Sequence, residues 1–119
     1  KNVKFFKCDI FDDKSKKKIT TFFNGKIDAA VSDMAADTTG NKSLDSIRTN
    51  LLCSEAINFS SKILKKNGVF VSKAFMGDDF IQVKTLAKST FEKVDFFKPE
   101  SSRSESKETY LHCRILRSL

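Results

Sequence analysis

The run Ile27-Asp28-Ala29-Ala30-Val31-Ser32, closed by Asp33 and followed by residues without periodicity, constrains the fold more than any other stretch. A short apolar run bounded by turn-prone residues suits a strand buried on both faces of a parallel sheet, with helices covering both sides. Asp33 then stands at the strand's carboxyl end, where the loops of an open α/β sheet form the crevice that takes ligands. An acid at that place serves either a reaction or the cap of the next turn, and one aspartate alone does not decide between them.

Other runs repeat the pattern. Residues 3–10, β-branched and aromatic, read as a strand with Asp9 near its exit. Residues 69–75 are strongly β-prone and carry Lys73 among apolar neighbours. Burying an ammonium is costly unless it is paired, so Lys73 either reaches solvent or meets a carboxylate. Residues 91–97 and 108–116 read as two more strands, with Glu108 at the entry of the last.

Helical signals fill the gaps. Residues 12–23 put acids ahead of a lysine-rich amphipathic segment that Asn24-Gly25 stops. Ser43 or Asp45 caps a longer helix to about residue 65, with Leu52, Ala56, Phe59 and Ile63 as its core stripe and Lys65-Lys66-Asn67-Gly68 as its end. Residues 76–79 open a third helix, to about residue 89. Residues 36–43 and 98–107 are polar loops. The alternation predicts an α/β sheet, mostly parallel with an antiparallel last strand.

At 119 residues the chain makes one domain, residues 1–119, long enough for a core and short for a complete nucleotide-binding α/β enzyme. A net charge of +7 favours an anionic partner, nucleic acid first, although the excess is concentrated in residues 1–26, with eight lysines against three aspartates. The Lys14 to Lys18 cluster reads as a solvated helix face before it reads as a phosphate grip. Cys8, Cys53 and Cys113 are too far apart for a disulfide framework or a metal knuckle and read as reduced, mostly buried thiols of a cytoplasmic protein. His112, the only histidine, has no ligand-spaced partner and reads as a packed side chain, so no metal is expected. No apolar run reaches the roughly 20 residues that a membrane span needs.

Taken together, the strings VSDMAA with its following TTG, KKNGVFVSKAFMGDDF and KPESSRSESKETYL resemble the FtsJ/RrmJ family of S-adenosylmethionine-dependent RNA ribose 2′-O-methyltransferases, over residues 3–116. The resemblance implies a Rossmann-like methyltransferase sheet, here its C-terminal portion, with the family's strand order 3-2-1-4-5-7-6. It also implies a Lys-Asp-Lys-Glu tetrad around the reacting hydroxyl. By motif, Asp33 matches the tetrad aspartate, Lys73 the second lysine, taken as proton acceptor, and Glu108 the glutamate. Asp9 matches the acid that hydrogen-bonds the cofactor's adenine, which together with Asp33 gives the cofactor-binding pair. Lys98 and Arg103 fall in a segment near the RNA side.

The chemistry suits those residue types. A ribose hydroxyl is a poor nucleophile at neutral pH, so attack on a sulfonium methyl benefits from a base in reach and from carboxylates that orient it. With two acids and one lysine in view, the charge balance points to a protonated Lys73. The family's first tetrad lysine and its glycine-rich turn have no counterpart in this sequence, and Ala36 stands where the family has proline. The chain alone is therefore expected to bind the cofactor poorly and to methylate little or nothing.

The expected function is 2′-O-methylation of a uridine of the large-subunit rRNA, with the large ribosomal subunit as partner and no membrane. The alternatives are a tRNA or cap 2′-O-methyltransferase, a non-catalytic basic RNA-binding fragment of the same fold, and a plain α/β interaction domain. In the family's strand order, the strand at residues 3–8 would lack a neighbour on its own side. It is expected to pair beside the strand ending at Asp33 or across a dimer, and an unpaired edge invites self-association.

Overall fold

The computed structural model describes residues 2–37, 39–98 and 107–118. Its elements run α1 (Asp13–Phe23), β1 (Ile27–Ser32), α2 (Lys42–Ile63), β2 (Leu64–Phe75), α3 (Phe80–Thr90), β3 (Phe91–Phe97) and β4 (Glu108–Leu116). The strands form one sheet in the order β1-β2-β4-β3. β1 pairs parallel with β2, while β4 runs antiparallel between β2 and β3. Three strands thus point one way and the last points back, as the sequence predicts. This order matches the 4-5-7-6 portion of the strand order that the resemblance implies.

The capping chemistry explains where the helices begin and end. Asp12 caps α1 by accepting from the Lys14 N–H, and Asn24 ends it in the left-handed conformation at φ 50°. For α2 the cap is Asn41, whose side chain accepts from Leu44 N at 3.1 Å, and not the expected Ser43 or Asp45. Asp45 instead takes Thr39 N at 3.0 Å and Thr39 Oγ1 at 2.8 Å, which folds the preceding loop onto the helix.

Alternate residues of β2 decide which face packs. Phe70, Ser72 and Ala74 are buried, and with Leu111 and Cys113 of β4 they meet Cys53, Ala56 and Ile57 of α2 and Val83 and Ala87 of α3. Phe70 stacks on Phe91 at 6.0 Å. The opposite face, with Val71, Lys73, Tyr110 and His112, is only half-buried.

Four further expectations are corrected. First, β1 is not covered on both faces: it is an edge strand, and Val31 is 76% exposed. Second, residues 2–9 form no strand. A strand exists only where a neighbour takes its backbone groups, and none does among the described residues. Phe6 rests instead edge-on against Phe22 of α1 at 5.5 Å.

Third, the buried stripe of α2 is Thr49, Cys53, Ala56 and Ser60 with Asn50, Ile57 and Ile63, while Leu52 and Phe59 are only half-buried. Thr49 and Asn50 hold inner positions because they have backbone to bond, Thr49 accepting from Ala36 N and Asn50 bonding as described below. Fourth, residues 64–68 extend β2 rather than ending a helix. They form a bulge opposite Asp28, where the ladder jumps from Ile27↔Leu64 to Ala29↔Val69. The thiols, expected to be mostly buried, are all free, with Cys53 and Cys113 buried and Cys8 exposed.

Candidate active site

The carboxyl ends of β1 and β2 and the amino end of β4 share one edge of the sheet. β4 runs antiparallel, so its first residues lie beside the last residues of β2: Phe75 pairs with Glu108 and Lys73 with Tyr110. Met76 N donates to Lys107 O at 2.8 Å and closes that corner. Residues separated by most of the chain are thereby brought to one place.

Lys73 occupies the centre. Its Nζ lies 3.2 Å from Asp33 Oδ1 and 3.6 Å from Glu108 Oε2. The lysine side chain is only 14% exposed, against 68% for Asp33 and 36% for Glu108. The ammonium is sheltered within the sheet while both carboxylates keep access to solvent, which is a usable geometry for a ligand arriving from outside.

Tyr110 completes the cluster. Its hydroxyl donates to Asp33 Oδ1 at 2.6 Å, and its ring stacks on Phe97 of β3 at 5.8 Å and 22°. This hydrogen bond, aided by Lys73, holds the Asp33 carboxyl below its ordinary value. The same bond, with burial and the nearby charge of Glu108, pushes the Tyr110 phenol up to about 12.

Sequence reasoning missed Tyr110. Its signal was the alternation of β4, which puts Glu108 and Tyr110 on one face. Asn50 was missed too. From the buried side of α2 its amide donates to Phe75 O at 3.0 Å and to Asp79 Oδ1 at 2.9 Å, and accepts from Phe75 N at 2.8 Å, which fixes the chain just beyond Lys73.

The other sequence-predicted residues lie elsewhere. Asp9 sits in an exposed turn ahead of α1, where its Oδ1 accepts from Phe11 N at 2.9 Å, and among the described residues no contact joins it to the Lys73 cluster. Lys98 donates to the Glu108 carbonyl at 3.2 Å, at the border of the cluster. Arg103 lies outside the described residues. In the basic segment, Lys16 is committed to an ion pair with Glu55 of α2.

A cleft of about 370 Å³ opens between β1, α1 and α2, with Ile10, Phe23, Ala30, Met34 and Phe59 among its walls. Among the described residues, Asp33 is its one charged lining residue. The cleft meets the Lys73 cluster at that carboxylate.

Three likenesses bear on this arrangement. The protein is 50% identical over 111 residues to the ribosomal RNA large subunit methyltransferase E of Pelagibacter ubique, covering 93% of this chain and 55% of that one. It is 44% identical over 109 residues to the enzyme of the same name from Rickettsia akari, covering 92% and 48%. The chain thus spans about half the length of the curated relatives it matches. Among solved structures, a protein named as a ribosomal RNA methyltransferase of Plasmodium falciparum superposes with a TM-score of 0.81 at 27% identity, covering 97% of this chain and 64% of the other. Residues 1–116 match the FtsJ-like methyltransferase family, and the chain belongs to that family.

Proposed function

We propose that these residues form the catalytic half of an S-adenosylmethionine-dependent RNA 2′-O-methyltransferase acting on large-subunit rRNA. The observation that carries the reading is Lys73 set between Asp33 and Glu108 at 3.2 and 3.6 Å. Family membership and the names of the half-matched relatives support methyl transfer to rRNA.

When a ribose hydroxyl is methylated, a C–O bond forms, a C–S bond breaks and the hydroxyl proton leaves. Lys73, whose Nζ lies between the two carboxylates, is the acceptor of that proton in this reading. Asp33 and Glu108 hold the lysine head in place and give the sugar hydroxyls acceptors to align on. The donor supplies an electrophilic methyl group. The residues here fit part of its site: the cleft is apolar, and among the described residues Asp33 is its one charged lining group. Asp9 would supply a second carboxylate, already accepting from Phe11 N and open to solvent. The glycine-rich turn of the family is absent from these residues, so they do not make a full cradle.

In the same reading Lys98, at the border of the cluster, and Arg103, which lies outside the described residues, serve as phosphate contacts. The test is transfer of labelled methyl to undermethylated ribosomal subunits by the complete gene product that carries these residues, with Lys73→Ala as control. Transfer that survives the substitution, or none by the unaltered protein, sinks the proposal.

A further inference from the structure

Asp33 lies just past the end of β1, and its side chain is 68% exposed. An exposed carboxylate on irregular backbone rotates freely unless something holds it. Two groups do, and both reach the same oxygen: Tyr110 Oη at 2.6 Å and Lys73 Nζ at 3.2 Å from Oδ1. They differ as anchors. A lysine head rides on four methylenes with wide rotamer freedom, whereas a tyrosine has two side-chain torsions and loses little entropy when held. The Tyr110 ring is held by its stack on Phe97, its residue-to-residue neighbour in the β3–β4 ladder.

Resting on the function proposed above, we propose that Tyr110 is a positioning residue. Its hydroxyl pins Asp33 Oδ1 toward Lys73 and leaves Oδ2, which carries no hydrogen bond among the described residues, for a hydroxyl of the target ribose.

Burial does not force this hydrogen bond. Tyr110 is half-buried on the more open face of the sheet, where water could satisfy a phenol. The bond goes instead to the one carboxylate that Lys73 also uses. A donor at Oδ1 favours the ionised acid, so Tyr110 also keeps Asp33 charged at lower pH. The phenol itself, pushed up to about 12, stays protonated at neutral pH and acts as a donor, not as a base.

The chain offers its own probe, because Tyr110 is its single tyrosine and it has no tryptophan. Near-ultraviolet absorbance of the phenolate therefore titrates Tyr110 alone. In the folded chain the midpoint is expected near 12 rather than 10.0, and Asp33→Asn returns it toward 10.0. A midpoint at the ordinary value, or one that Asp33→Asn leaves in place, overturns the contact.

Use of the contact is read in the complete gene product. Tyr110→Phe is expected to lower kcat about tenfold or more with KM for the RNA within about twofold, and to move the acid limb of the rate profile to higher pH. A carboxyl carbon resonance of Asp33 that titrates higher in Tyr110→Phe tests the same step without turnover. Unchanged kcat, acid limb and Asp33 titration overturn the positioning role. If the unaltered protein transfers no methyl, the enzyme reading and the catalytic use of Tyr110 fall together, while the two titrations still decide whether Tyr110 sets the state of Asp33.

Discussion

Lys73 and Tyr110 are direct cross-strand partners in the β2–β4 ladder, and both side chains end on the same oxygen of Asp33, at 3.2 and 2.6 Å. A hydrogen-bonded ladder fixes the spacing of the two donors, so the carboxylate is set by the sheet rather than by its own loop. The loop contributes less. Ala36 N donates to Thr49 Oγ1 at 3.1 Å, which draws the chain after Asp33 toward α2 without touching the carboxylate.

The Asp33–Tyr110 bond makes stability fall at both ends of the pH scale. The Asp33 carboxyl sits below its ordinary 3.8, so its contribution is present above that value and is lost as pH falls through the folded one. The Tyr110 phenol is raised from 10.0 to about 12, so its contribution is complete below 10.0 and is lost as pH rises toward 12. Because the site is partly open to solvent, the alkaline loss should be no more than about 1–2 kcal/mol. Thermal unfolding of the chain and of Tyr110→Phe across pH 9 to about 12 checks it, with the variant expected to show the flatter profile.

Substituting Lys73 separates chemistry from stability. Lys73→Met keeps the apolar stem and removes the head, so Asp33 and Glu108 lose the Lys73 cation between them and repel each other more strongly. Since Asp33 is 68% exposed, water screens that repulsion, and unfolding by urea should shift by no more than about 1 kcal/mol. On the function proposed above, methyl transfer by the complete gene product should fall by about 100-fold or more. A variant that is grossly unfolded, or one that is fully active, contradicts this division.

The fold was legible where local signals agreed with the sheet. Asp12, Asn24, the apolar runs of β1 and β2 and the polar segment before β4 all marked their elements, and the motif order put Asp33, Lys73 and Glu108 on one chain of inference. Residues 2–9 failed because β propensity describes what a neighbouring strand would use, and no neighbour is present among the described residues. The α2 stripe failed because periodicity counts hydrophobicity, whereas Asn50 and Thr49 are buried by the hydrogen bonds they make to backbone from other segments. Tyr110 failed for a related reason: its importance lies in register, which a single strand does not display.

The thiols should report the core directly. Burial pushes Cys53 up to about 11 and Cys113 up to about 12, so neither offers a thiolate near neutral pH, while Cys8 is exposed. A thiol reagent added to the native chain should modify Cys8 quickly and the other two only on unfolding. Rapid modification of Cys113 would mean that β4 does not pack as described.

Gly68 tests the bulge. A Cβ there would come within 2.9 Å of both Leu64 Cδ2 and Lys65 O, and the carbonyl belongs to the same tight bend and cannot simply swing away. Gly68→Ala should therefore destabilise by about 1–3 kcal/mol. The urea midpoint should fall while Lys65→Ala, which removes only the exposed 2.7 Å pair with Asp28, changes little.

Asn50 gives the sharpest test of how the scaffold serves the site. It is 1% exposed, and its amide satisfies both the N–H and the carbonyl of Phe75, two residues beyond Lys73. Asn50→Leu fills the volume but leaves those two backbone groups without their partner, at a cost of about 2–4 kcal/mol. The corner that carries Lys73, Tyr110 and Glu108 would then lose its support from α2. Stability and phenol titration should move together: a lower urea midpoint, with Tyr110 ionising closer to 10.0 than to 12 in whatever remains folded. A folded Asn50→Leu chain whose phenol still titrates near 12 would show that the β2–β4 ladder alone sets the Asp33 contact.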